Sequence, residues 1–335
     1  MKIIRYSKKY NNIFNLKKDF FKNNYLHLQD RLKINRFYKK QKKRKFCKNC
    51  ERSISKPFIK NFLIGYGICK HCGHLNGEYQ DTKKFTEWLY SSSDGKNYAK
   101  AYLDNFSSRV KNIYLPKAEF LKKVLKRKIR ILDIGSGGGH FLKALELKKI
   151  NGIGLEPNRI LTELGNKKLK KNKLLNIDLD ESYEFVTRQK NFNTVSLIAV
   201  LEHLEKPNEL LKAFNKSQAK YLYLALPLFS LGIFLENNFT NVFPRQLSGG
   251  HTHLYTEKSI SYLAKKNKLK IVGEWWFGQD MPDLYRSLLM SKNILDKKIY
   301  QKELNDNLFK VINELQHVLD KNKICSQVHI IFKKI

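Results

Sequence analysis

IRILDIGSGGGHFLKALEL, residues 129–147, followed closely by NGIGLEPN, residues 151–158, decides how this chain folds. An apolar run ends at Gly135-Ser136-Gly137-Gly138-Gly139, and helical periodicity begins near His140. Glycines are needed there because a tight strand-to-helix turn takes positive φ and lets a ligand lie against bare backbone. The alternation continues outward. KLLNID, NTVSLIAV and YLYLAL read as strands, while RILTELGNKK and PNELLKAFNK carry helical spacing. Such βαβ units imply a parallel sheet covered by helices on both faces. Two later strands, LKIVGEWWFG and QVHIIFKK, bring the expected α/β architecture to a seven-stranded, doubly wound, Rossmann-like sheet.

The glycine spacing selects the ligand. A dinucleotide fingerprint needs a third glycine three residues after Gly137, but His140 stands there. What remains is Asp133-x-Gly135-x-Gly137-x-Gly139, with a carboxylate at the strand end. That carboxylate would repel a pyrophosphate and suits a ligand ammonium, such as the methionine end of S-adenosylmethionine. Glu156 closes the second strand, where a carboxylate can accept both hydroxyls of an adenosine ribose.

With the segment LIAVLEHLEKPNELLKAF added, residues 115–335 resemble the class I S-adenosylmethionine-dependent methyltransferases. The resemblance implies that Asp133, Gly135, Ser136, Gly137 and Gly139 contact the methionine and ribose. It implies that Glu156 and Pro157 flank the ribose and that Asp178 receives the adenine, with Asp180 as its rival. Ala199 and Val200 would line the transferable methyl group. A histidine matching His203 also recurs in that family, as a base or as a hydrogen-bond partner of the acceptor.

A second histidine pair, His251 and His253, lies in GGHTHLYT ahead of a helix that Thr256 can cap. Alternation in an extended segment puts both rings on one side. The segment is similar to the one after strand five in methyltransferases acting on sugars. We therefore take His203, His251 and His253 as catalytic candidates, and Tyr98, Tyr102 and Arg109 as lining candidates for the acceptor pocket.

Upstream, Cys47-x-x-Cys50 and Cys69-x-x-Cys72 are separated by eighteen residues. This spacing suits tetrahedral zinc, and four thiolates leave no open position, so the ion is expected to be structural. Glu51 departs from the glycine usual after such a pair, whereas Gly73 keeps it. His71 and His74 read as outer neighbours, and Cys325 as a buried apolar residue. A zinc ribbon ahead of the catalytic domain resembles the order of parts in methyltransferases of nucleotide-linked or surface-glycan sugars.

The chain divides into a basic arm (1–45), poorly ordered or partly helical, a zinc module (46–80), a helical connection (81–125) and the methyltransferase domain (126–335) with a helical insertion at about 281–323. Its net charge is +35, carried mainly by lysine, which reads as a solvated surface more than as an arginine-rich nucleic-acid face. The longest apolar run, residues 221–235, is shorter than the ~18 residues a membrane span needs and contains Pro227. No secretory h-region is visible, so a cytoplasmic location and no transmembrane segment are expected. The favoured function is methyl transfer to a sugar-type polar acceptor. An RNA or tRNA methyltransferase using the arm and ribbon is the alternative, followed by a non-catalytic scaffold retaining the fold.

Overall fold

The computed structural model describes residues 2–8, 23–91, 105–291 and 294–335. Tyr98 and Tyr102 lie outside these residues.

Among the described residues, twelve strands form two sheets. β1 is Ile3–Tyr6, β2 Ile59–Asn61, β3 Ile64–Ile68, β4 Leu75–Gly77, β5 Arg130–Ile134 and β6 Asn151–Glu156. β7 is Leu174–Asn176, β8 Thr194–Ile198, β9 Tyr221–Pro227, β10 His253–Leu254, β11 Leu269–Phe277 and β12 Gln327–Lys334. The large sheet runs β1-β11-β12-β9-β8-β5-β6-β7. β9, β8, β5, β6 and β7 are parallel, and β12 runs antiparallel to both β9 and β11. Helices cover both faces. Val186, Leu211, Phe214 and Leu263 pack on one face, and Phe120, Leu121, Phe141 and Leu161 on the other.

The sheet has eight strands, not seven. The additional strand is β1, taken from the basic arm expected to be poorly ordered or partly helical, and it pairs in parallel with β11. Ile3-Ile4-Arg5-Tyr6 is too short to stand out among lysines, yet it covers an open edge that would otherwise present unpaired backbone groups. Lys2 bonds Glu274 at 2.7 Å, the Arg5 guanidinium lies 4.0 Å over Trp275, and the Trp275 indole donates to the Ser7 carbonyl. The same arm supplies a helix, Asn24–Tyr38, whose Tyr38 is wholly buried.

That helix packs on the small sheet, β10-β4-β3-β2. β10 comes from the histidine segment of the large domain and pairs antiparallel with β4, so the cysteine module completes its sheet with residues almost two hundred positions downstream. Thr256 caps helix Glu257–Lys266 in a reciprocal capping box with Ser259, as its position before the helix suggests. Helices Asp280–Leu289, Lys297–Leu308 and Ile312–Lys321 lie between β11 and β12. No helix among the described residues is long and apolar enough to cross a membrane.

Candidate active site

The side expected to hold the cofactor is built by β5, the glycine loop, the helix His140–Leu147 and β6. Gly135, Gly137 and Gly139 all take positive φ, at 65°, 53° and 77°. At Gly135 an added Cβ would stand 2.6 Å from the Val200 side chain, so a side chain is excluded there by both conformation and space. Glu156 Oε2 accepts from the Gly137 amide at 2.7 Å and Oε1 from the Asn158 amide at 3.0 Å. β5 and β6 are neighbours, so the two acidic strand tips lie side by side. Burial raises the Glu156 pKa, and its two amide donors oppose that shift. Two of a carboxylate's roughly four acceptor sites are thus used, leaving capacity for two hydroxyls.

Asp133 points inward. Its carboxylate accepts from Ser196 at 2.5 Å and from Ser136 at 2.7 Å, and burial pushes its pKa up to about 6. Ser136 therefore acts through Asp133 in this arrangement. Asn158 caps helix Arg159–Leu169, which orients the turn containing Pro157. Asp178 and Asp180 are both exposed beyond β7, and Asp180 faces Lys83 at 3.5 Å. Ala199, at the tip of β8, is exposed and holds φ at 60°, a conformation costly for a residue with a Cβ.

Immediately after this tip, Leu201–His203 forms a single 3₁₀ turn. Glu202 and His203 of this turn line a pocket whose walls also include Asp81, Phe85, Gly250 and Thr252. The His203 and His251 rings lie 5.1 Å apart. Burial lowers the His203 pKa to about 4 and that of His251 well below its ordinary value, so both are neutral near pH 7. Glu202 is 1% exposed, and burial raises its pKa to about 8.

The structure separates the second histidine pair. His251 precedes β10 and meets His203, whereas His253, inside β10, is fully buried and bonds His74 at 2.8 Å. His253 therefore sits in the interior of the small sheet and outside the pocket wall. Pairing with β4 fixes it there, a contact that local alternation does not reveal. Arg109 ends the short helix Phe106–Arg109, whose Phe106 ring lies 4.4 Å from that of His140 in a tilted contact.

The pocket is supported from the cysteine module. Lys48, between Cys47 and Cys50, donates to the Leu204 carbonyl at 2.5 Å and pairs with Asp81. Asp81 also pairs with Arg44 at 2.8 Å and accepts from Thr252 at 3.0 Å. Burial alone would raise the Asp81 pKa, but Lys48 and Arg44 outweigh it and hold the carboxyl below its usual range. Sequence reasoning missed Arg44, Lys48, Asp81, Glu202 and Thr252. Only Glu202 carried a signal, its place beside His203.

The four cysteine sulfurs lie within 4.8 Å of one another, with Cys47 to Cys72 at 3.6 Å and Cys50 to Cys69 at 3.5 Å. A tetrahedron with metal–sulfur bonds near 2.3 Å has edges of about 3.8 Å, so the set fits such an ion. The two knuckles match despite their different residues. Glu51 takes φ 63° and Gly73 φ 72°, each bonding back to the first cysteine of its pair. Glu51 is held there by Lys266 at 2.9 Å and Asn208 at 3.1 Å.

Residues 106–274 match the family model described as a methyltransferase domain, which spans half of the chain and contains both strand tips, the glycine loop and the Leu201–His203 turn. The chain belongs to this methyltransferase family. It is an enzyme, an S-adenosylmethionine-dependent methyltransferase. No curated protein matches it in sequence.

Among solved structures, a SAM-dependent methyltransferase from Archaeoglobus fulgidus is 22% identical, with 66% of this chain and 92% of that one covered at TM-score 0.42. The plantazolicin methyltransferase BpumL with SAH is 16% identical, covering 75% and 94% at 0.45. Geranyl diphosphate C-methyltransferase from Streptomyces coelicolor A3(2) is 10% identical, covering 66% and 79% at 0.43. Superpositions this loose carry no argument about the acceptor of this chain.

Proposed function

We propose that this methyltransferase acts on a small polar acceptor of the sugar type, nucleotide-linked or part of a surface glycan, in the cytoplasm. The observation that carries this reading is the pocket beside the β8 tip. Its wall combines the polar groups of Glu202 and His203 with the mutually bonded Asp81 and Thr252 and the buried ring of Phe85, a mixture that suits an acceptor carrying hydroxyl groups once the cleft widens to admit it.

S-adenosylmethionine supplies an electrophilic methyl group. On this reading Glu156 receives the ribose hydroxyls beside Pro157, and the turns at Gly135, Gly137 and Gly139 let the cofactor approach the backbone. Asp178 takes the adenine, while Asp133, held by Ser136 and Ser196, sets a negative charge near the methionine ammonium. Ala199 and Val200 border the reacting methyl group. Transfer is an in-line displacement, so most of the acceleration comes from alignment of the acceptor. His203, neutral and beside the pocket, takes the proton where the acceptor must lose one. His251 supports that ring, and His253 acts only through the packing of β10. Cys47, Cys50, Cys69 and Cys72 hold a structural zinc ion that keeps Lys48 against the Leu204 carbonyl.

The arm contributes β1 and the Asn24–Tyr38 helix to the folded body, which favours an architectural role for those segments over a trailing RNA contact. The test is release of S-adenosylhomocysteine in a screen of nucleotide sugars, glycans and transcript RNA. Turnover with a sugar acceptor is expected. Turnover with RNA alone overturns the sugar reading.

A further inference from the structure

The Glu202, His203 and His251 cluster holds more donors than methyl transfer needs. Deprotonating one hydroxyl takes one base, but here one ligand atom from each of three side chains lies within 4.8 Å of the others. Glu202 is buried and its Oε2 has no hydrogen-bond partner. A buried carboxyl oxygen left without a partner is costly whether the group is protonated or ionised. His251 is anchored through the Gln246 carbonyl while its Nδ1 has no hydrogen-bond partner. His203 is likewise anchored by the Gly250 carbonyl. A backbone carbonyl on one ring nitrogen is the usual means of aiming the other nitrogen at a metal.

We propose that Glu202, His203 and His251 hold a divalent first-row transition-metal ion, with its remaining coordination positions turned toward the pocket of Asp81, Phe85 and Thr252. Two imidazoles and one carboxylate suit zinc, manganese or iron better than magnesium or calcium. Three protein ligands leave room for acceptor oxygens, unlike the closed four-cysteine site. With the ion bound, His203 is a ligand in place of its role as base, and a hydroxyl bound there gives up its proton to water more readily. Its oxygen lone pair then forms the bond to the methyl carbon, and the carbon–sulfur bond breaks with its electrons on sulfur, leaving a neutral thioether. The ligand set stands independently of the sugar reading, and only its use in catalysis rests on that reading.

Manganese(II) is the appropriate probe, because a hard ion avoids the thiolates of a zinc-loaded cysteine site. The full chain, without acceptor, is titrated while free manganese is followed by electron paramagnetic resonance. One ion per chain is expected, with paramagnetic broadening of the His203 and His251 ring resonances. Glu202→Gln and His251→Gln should each weaken binding by roughly 100-fold or more, with cofactor affinity and melting temperature retained as evidence of folding. The proposal is overturned if the unaltered chain binds no manganese, if broadening falls on other residues, or if either folded variant binds as tightly. Broadening in the unaltered chain decides the matter should both variants unfold. A negative result leaves the acceptor screen unaffected, and a failed screen leaves the cation site standing.

Discussion

The two sides of the proposed active site are assembled in opposite ways. The cofactor side comes from residues 133–156, one contiguous unit in which the backbone does most of the work through three positive-φ glycines and the Gly137 amide. The acceptor side gathers Asp81, Glu202, His203 and Thr252 from distant segments, and a buried charge cluster of Arg44, Lys48 and Asp81 holds it together. The first side depends on local chain geometry. The second depends on the small sheet being folded, because β10 belongs to it and Lys48 reaches across to Leu204. The two sides should therefore fail separately.

The largest effect tests that separation. Cys69→Ser removes one of four sulfurs, and structural zinc contributes on the order of 10 kcal/mol in small zinc peptides, enough to unfold the module when it is lost. Zinc content should fall, and acceptor turnover should drop by about 100-fold or more as Lys48 and Asp81 lose their places. Cofactor affinity, read by calorimetry on the folded fraction, should stay within roughly threefold, because the Glu156 carboxylate is held by the Gly137 and Asn158 amides, both outside the module. Equal loss on both sides would sink the comparison.

This division also explains what could be read from the sequence. The seven strands from β5 to β12 in the large sheet follow from local periodicity, and the glycine loop from its spacing, because each signal lies within a few residues of its partner. β1 escaped because four residues among lysines carry little periodicity, and their pairing with Trp275 and Glu274 lies about 270 positions away. His251 and His253 looked alike in sequence. What parts them is the pairing of His253 with Asn76 of β4, which turns one ring toward His74 while the other meets His203. Asp81 is a lone acidic residue in sequence, and only folding places two cations and a threonine around it.

On the cofactor side, Glu156→Ala sharpens the comparison. Hydrogen bonds to a charged group contribute about 1.5–3 kcal/mol, so cofactor affinity should fall by roughly 10- to 150-fold. The loss of the Gly137 and Asn158 bonds should loosen the turn but leave the Asp81 cluster intact. Zinc content should be unchanged. Unaltered affinity in calorimetry removes Glu156 from the cofactor site.

The smallest effect comes from Ala199, where the two sides meet. Its left-handed conformation costs about 1 kcal/mol relative to a residue without a Cβ. Because Ala199 is exposed, Ala199→Gly removes little packing, and the denaturation midpoint should rise. Strain retained at the tip of a strand, between Ser196, which holds Asp133, and the turn carrying Glu202, is accounted for if the Cβ borders the reacting methyl group. The glycine variant should then be more stable but slower, with a lower kcat and little change in cofactor affinity. A variant that gains stability and keeps full kcat would place Ala199 in the architecture of the β8 tip alone, and the boundary between the two sides would move one residue along to Val200, which already packs on Gly135.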